Sequence, residues 1–176
     1  VVPLTTIGAS ADLPSPITLD PPVTGQGEWL NTSIYTFRPE PAFAGGTDYT
    51  VTVDPALTAV DGATLAEPFS FSFQTAAPAV VGVVPEILAP VRLDQPIQIR
   101  FNMPVDQAKA EAAFVLYAMD EAGEYAGDPI PGAFEWAEDG AGFRFTPDEL
   151  TLGTHYEGYL TGGMITSPGG GLPMPD

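Results

Sequence analysis

The sequence predicts an all-β fold: two tandem antiparallel β-sandwiches, over residues 1–77 and 78–176. Three observations predict it. Apolar and polar residues alternate with a period of two, 19 Gly and 20 Pro divide the chain into short stretches, and one pattern of residues occurs twice. Alternation places successive side chains on opposite faces of an extended strand, so that one face is buried and the other solvated. Gly and Pro supply the turns that many short strands require. Self-similarity at a fixed spacing marks tandem modules.

The repeat is read directly. Tyr35, Phe37 and Pro39, followed by Gly46-Thr47-Asp48-Tyr49, answer to Phe143, Phe145 and Pro147, followed by Gly153-Thr154-His155-Tyr156. Upstream, Glu28-Trp29 answers to Glu135-Trp136, and downstream Leu65 answers to Leu172. The two tryptophans are 107 residues apart, and Phe37 and Phe145 are 108 apart, so the offset stays at 107 or 108 throughout. In this registration Val1 falls just after Phe101-Asn102-Met103-Pro104, and Asp176 falls at Phe69. The sequence therefore reads as a piece of a longer multi-module protein. Its first module is expected to lack the counterpart of residues 79–104, which would leave an unpaired edge. The second is expected to lack the counterpart of Phe69–Thr75. The modules meet at Thr75-Ala76-Ala77-Pro78, a short Pro-bearing joint expected to restrict their angle. A module this small buries only about 60% of the surface its unfolded chain exposes, so each is marginal alone.

Taken in order, the elements are as follows. Tyr49, Val51 and Val53 alternate with Thr50, Thr52 and Asp54, the pattern of a strand half buried on a core. Phe69, Phe71 and Phe73 alternate with Ser70, Ser72 and Gln74. Ile97, Ile99 and Phe101 alternate with Gln98, Arg100 and Asn102. Phe114 with Leu116, and Phe134 with Trp136, supply further strands. Gly45-Gly46-Thr47, Asp61-Gly62 and Asp139-Gly140 read as turns. One helix is predicted, from Asp106 to Ala113, with Asp106 as its cap. At about two turns it is a connector.

Charge restricts the partners. Against 23 acidic residues stand 5 Lys and Arg, a net charge of −18. Nothing here neutralises a run of phosphates, which argues against nucleic acid and against an anionic membrane surface. The plainest meaning is a solvated acidic surface on an exported protein, with a halophilic source or Ca²⁺ ligation as alternatives. The sequence has no Cys, which removes disulfides and thiolate chemistry. Hydrophobic residues at 44% and charged residues at 16% exclude a disordered chain. No apolar run nears the ~20 residues of a membrane span. No basic stretch and apolar core marks a signal peptide at the N-terminus, which says nothing of the parent's address.

Each chemically suggestive residue has a structural reading beside the functional one. Trp29 and Trp136 could stack on sugar rings, but a repeated position just before a strand argues for packing in both modules. Tyr49 and Tyr156, after Gly-Thr, suggest a hydroxyl bonded to nearby backbone, as in a tyrosine corner. His155 is the only histidine and occupies the outward slot where the first copy has Asp48, a surface position. Asp120, Glu121 and Glu124, and Glu138 with Asp139, offer the hard oxygens that suit Ca²⁺, yet no Asp-x-Asp-x-Asp-Gly loop exists. A serine nucleophile needs a base, and most serines lie in the other module from His155. No Gly-x-Ser-x-Gly, phosphate-binding or dinucleotide loop appears, and a carboxylate-pair glycosidase site is remote. Asn31-Thr32-Ser33 fits the glycosylation pattern and carries little weight. No catalytic, cofactor-binding or metal-ligating residue is assigned, and no cofactor is expected.

The pattern pieced together from the two copies is Phe-Asn-x-Pro-Val, Trp, Phe-x-Pro, Gly-Thr-x-Tyr, Asp-Gly-x-x-Leu and Phe-x-Phe-x-Thr. It resembles the bacterial Ig-like modules of surface-layer and adhesin proteins. Val2-Pro3-Leu4-Thr5-Thr6, then Pro16-Ile17-Thr18-Leu19, then Gly25 and Trp29-Leu30-Asn31-Thr32, is similar to the N-terminal macroglobulin-like domains of bacterial alpha-2-macroglobulins. That resemblance implies a large exported protease trap, in which a bait segment is cut and the protease is caged or caught by a thioester. A thioester needs a Cys, which this sequence lacks, and no bait stretch is visible, so no functional residue of the family transfers. The expectation is a pair of Ig-like/macroglobulin-like sandwiches, non-catalytic, serving as scaffold of such an inhibitor. Neighbouring modules of the parent are its expected partners, with target proteases engaged only through the intact parent. The alternative is a spacer or adhesion pair of a bacterial cell-surface or S-layer-type protein. A third class, the accessory module of a carbohydrate-active enzyme, requires an exposed aromatic face.

Overall fold

The computed structural model describes residues 15–59, 61–86 and 88–176. It is an all-β fold of antiparallel sheets with one short helix. The chain divides into two compact units, one of residues 1–43 with 47–75, the other of residues 44–46 with 76–176.

The first unit carries β1 (Ile17–Asp20), β2 (Gly25–Asn31), β3 (Ile34–Pro39), β4 (Asp48–Val53) and β5 (Phe69–Gln74). They form a three-stranded sheet in the order β1-β4-β5 and a β2-β3 hairpin. The period-two residues land together: Leu19 stands opposite Val51, which stands opposite Phe71, and Tyr49 stands opposite Phe73. Tyr49 and Val51 are buried, and the ring of Tyr49 lies 4.8 Å from that of Phe43 and 5.6 Å from that of Phe73. On the other face hydroxyls join the strands, Thr50 to Ser72 and Thr52 to Ser70, each at 2.9 Å. At the hairpin, Asn31 Oδ1 accepts the Ser33 N–H at 2.8 Å, an Asx turn that gives this asparagine a local duty.

One expectation fails here. Phe69 and Phe71 share the face of Tyr49 and Val51 as the alternation requires, yet they are 59% and 50% exposed. Alternation fixes which face a side chain takes. Burial needs a second layer over that face, and the unit's other described sheet is only two strands wide.

The second unit carries β6 (Val80–Val84), β7 (Ile97–Phe101), α1 (Gln107–Ala113), β8 (Phe114–Met119), β9 (Gly132–Trp136), β10 (Gly142–Pro147), β11 (His155–Leu160) and a 3-10 turn at Gly162–Met164. Its sheets run β6-β7-β10-β9 and β11-β8. They pack face to face: the ring of Phe114 on β8 lies 6.1, 5.6 and 5.0 Å from those of Phe134, Phe143 and Phe145. Ile99, Phe101, Leu116 and Ile165 complete the core. The predicted helix forms, with the Asp106 carboxylate accepting the Lys109 N–H at 3.2 Å, and it buries Ala110 and Ala113. Asp106 lies outside the helix as its N-cap. The Gly46, Gly62 and Gly140 turns adopt positive φ, at 62°, 84° and 64°.

The two copies of the pattern share a hairpin register. Gly25 stands opposite Pro39 and Gly132 opposite Pro147; Trp29 stands opposite Tyr35 and Trp136 opposite Phe143. At both glycines a Cβ would collide with a carbonyl oxygen of the facing strand, that of Arg38 or Thr146, and with the ring of Phe37 or Phe145. In each case the end of an aromatic ring occupies the space a side chain would need, which only hydrogen at that position permits. By register β1 answers to β8, since Ile17 faces Val53 as Phe114 faces Leu160. The connection after β8, residues 120–131, is longer than that after β1, residues 21–24. The offset of 107 or 108 therefore holds from the tryptophans onward and not in β1 and β8.

Candidate functional site

Three surfaces gather chemically useful side chains. The first is the outer face of the β11-β8 pair. Inward residues of these strands build the core, so His155, Glu157 and Tyr159 on β11 and Tyr117 on β8 are left outside. The turn after β8 folds back, with the Asp120 carboxylate accepting the Ala122 and Glu124 N–H groups at 2.8 and 2.9 Å. That turn lays Tyr125 on Tyr117, ring centroids 4.4 Å apart and 18° from parallel. Tyr159 stands edge-on to both, at 6.4 and 6.0 Å. Its hydroxyl donates to Glu157 at 2.5 Å, and His155 Nε2 lies 3.3 Å from the other carboxylate oxygen. The Tyr159 hydroxyl, then His155, hold the Glu157 carboxyl below its ordinary range. The same hydrogen bond, with a smaller contribution from Tyr125, raises the Tyr159 phenol. This is an aromatic face with a carboxylate beside it, suited to stacking and hydrogen bonding.

The second surface is the outer face of the four-stranded sheet, where Gln98, Arg100, Glu135 and Arg144 surround a shallow hollow of about 420 Å³ floored by Gly82 and Gly142. Arg100 makes two hydrogen bonds to the Asp139 carboxylate, one of them at 3.0 Å. Asp139 also accepts the Ala141 N–H at 3.0 Å. Arg100 first, then Ala141, hold Asp139 below the ordinary carboxylate range. Arg144 faces Glu135 at 3.8 Å. Both guanidiniums are thus engaged by neighbours.

The third surface is strand edge. β6 is exposed along its whole length and carries only Val and Gly, and β3 is bonded on one side, to β2, among the described residues.

The residues singled out from sequence are distributed as follows. Trp29 and Trp136 lie inside strands rather than before them, and both are half-buried. Trp29 meets the edge of Tyr35 at 5.3 Å; Trp136 packs on Phe143 at 5.3 Å and donates its Nε1–H to Glu111 at 2.7 Å. The Tyr156 hydroxyl accepts the Thr151 N–H at 2.7 Å, the corner its sequence context suggested. His155 is exposed, as expected. Glu138 and Asp139 lie apart from Asp120, Glu121 and Glu124 in the chain, and Asp120 and Asp139 already accept backbone amides. Among the described residues no three His, Asp or Glu side chains are placed to hold a metal ion. The tyrosine cluster was missed from sequence, because Tyr125 reaches Tyr117 only through the fold of the turn.

Fold and surface together describe a module of the antiparallel all-β class. Residues 6–75 match the family model of the bacterial Ig-like domain, and the match ends where the first unit does. No curated protein matches the chain. Among the described residues no helix is long and apolar enough to cross a membrane.

Proposed function

We propose that the chain is a non-catalytic structural or adhesion-type module of an exported bacterial protein, placed at the cell surface or beyond it. The observation that carries this reading is the bacterial Ig-like match over residues 6–75, joined to an all-β architecture whose side chains serve packing and turns. The polar groups most often used in catalysis have structural partners: His155 meets Glu157, and Asp139 meets Arg100 and a backbone amide. Antibodies raised against the chain should label intact cells of its source. Labelling that appears only after lysis would overturn a surface location.

A narrower reading makes this the scaffold of an alpha-2-macroglobulin-like protease trap, supported by the Val2-Pro3-Leu4-Thr5-Thr6 and Gly25…Trp29 pattern. The intact parent decides between them. A mass gain with methylamine, or retention of a protease after cleavage, supports the trap; neither result leaves the spacer.

A further inference from the structure

The outer face of the β11-β8 pair carries more than the turn beside it requires. Strand register puts Glu157 directly opposite Tyr117, with Tyr159 two residues further along β11, so all three project from one side of the pair. The turn held by Asp120 adds Tyr125, its ring stacked on that of Tyr117 and edge-on to Tyr159. Tyr117 covers one face of the Tyr125 ring. The residue is still 55% exposed, and the opposite face is what solvent meets. The hydroxyl of Tyr159 is held by Glu157 and met by that of Tyr125, so the ring ends and the carboxylate converge. Each Glu157 oxygen has one partner here, Tyr159 or His155, and a carboxylate accepts about four hydrogen bonds.

These groups share one sign. The face of an aromatic ring is the negative part of its quadrupole and attracts a cation within about 6 Å of its centroid. Glu157 adds a full charge, and Glu121 and Glu124 stand exposed on the turn that carries Tyr125. The chain's own five Lys and Arg are engaged elsewhere, by Glu28, Asp94, Asp139, Asp106 and Glu135. A ring face next to a carboxylate fits a guanidinium better than an ammonium, because a guanidinium is flat enough to stack and presents a fork of N–H groups at its edge.

We propose that the face formed by Tyr117, Tyr125, Tyr159 and Glu157 is a docking site for an arginine-bearing segment of another protein. The guanidinium lies on the open face of Tyr125 with its N–H edge toward Glu157, while Glu121 and Glu124 attract basic residues that flank it. Charge complementarity selects this occupant. A neutral sugar would use the rings and leave the charge of the carboxylates unanswered. A second copy would bring net charge −18 against −18. The site goes beyond the module reading and does not depend on where the parent protein resides.

The probe is the end-capped synthetic peptide Gly-Ser-Arg-Gly-Arg-Ser-Gly, titrated into the full chain and followed by nuclear magnetic resonance shifts. Saturable shifts are expected at Tyr117, Tyr125, Glu157 and Tyr159. Citrulline in place of both arginines keeps the shape without the charge and should weaken binding about tenfold or more. Tyr125→Ala should weaken it about fivefold, and Tyr125→Phe, which keeps the ring, should bind as the parent does. Glu157→Gln should weaken it as well. Glu67→Gln, the same charge change in the first unit, should not, and circular dichroism confirms that each variant is folded. Should Tyr125→Ala fail to fold, Glu157→Gln and the citrulline peptide decide. Equal binding of the citrulline peptide overturns the proposal, as does equal loss in Glu67→Gln and Glu157→Gln, which would mean diffuse attraction. Saturable shifts of the same residues with cellohexaose that the arginine peptide cannot displace assign the face to sugar and overturn it. Such shifts without any ligand, growing with protein concentration, assign it to a second copy and overturn it too.

Discussion

Tyr156 shows how a single side chain ties two levels of the fold together. Its ring packs against the core of the second unit while its hydroxyl accepts the Thr151 N–H at the corner leading into β11. Tyr156→Phe keeps the ring and removes the acceptor, so the unit should lose about 0.5–1.5 kcal/mol, read from urea midpoints at Trp136 emission. Asp139 gives a pH signature. Its folded-state value is depressed, by Arg100 first and the Ala141 amide next. A carboxylate depressed by folding stabilises above its unfolded value, near pH 4, and that contribution is lost as pH falls through the folded value. Glu157 is shifted the same way. Stability of the second unit should therefore decline below about pH 4, and Asp139→Asn should make that decline shallower. Equal declines in variant and parent, measured by urea denaturation across that range, would show the pair to be idle.

Among the elements, α1 rests most visibly on its cap. It is only seven residues long, too short to persist without packing. Asp106→Ala removes the acceptor for Lys109 N–H and should cost about 1 kcal/mol, with Asp106→Asn restoring most of it in the same denaturation assay. This helix, its cap, and strands such as β4 and β7 were legible because local rules determine them: period-two alternation, an N-cap aspartate, Gly at a turn. β6 was not, since Val80–Val84 shows no alternation to read. The exposure of Phe69 and Phe71 was not legible either, because it depends on what lies opposite. The Arg100–Asp139 pair and the Tyr117–Tyr125 stack join residues through strand register and a folded turn, which no local pattern records. The repeat carried Trp29 and Trp136 to equivalent places, but their strands begin several residues earlier than the aromatics that announced them.

For the molecule as a whole, charge is the dominant long-range force. All five Lys and Arg side chains face a carboxylate within 4 Å: Arg38 with Glu28, Arg92 with Asp94, Arg100 with Asp139, Lys109 with Asp106, Arg144 with Glu135. The remaining acids of a chain with net charge −18 repel one another. Salt shortens the range of that repulsion from ~30 Å at 0.01 M to ~8 Å at 0.15 M, whereas five exposed pairs contribute little to begin with. The thermal midpoint should rise between those ionic strengths, as followed by circular dichroism; a fall would mean the pairs outweigh the repulsion.

The scarcity of basic residues also decides where the chain can be cut. Arg38, Arg100 and Arg144 lie within strands and Lys109 within the helix, which leaves Arg92 alone outside any strand or helix, on the link between β6 and β7. A trypsin-like enzyme needs several residues free to extend into its cleft, and exposed links provide them where strands do not. Limited digestion should therefore begin after Arg92, giving pieces of residues 1–92 and 93–176 visible by mass before any other cleavage.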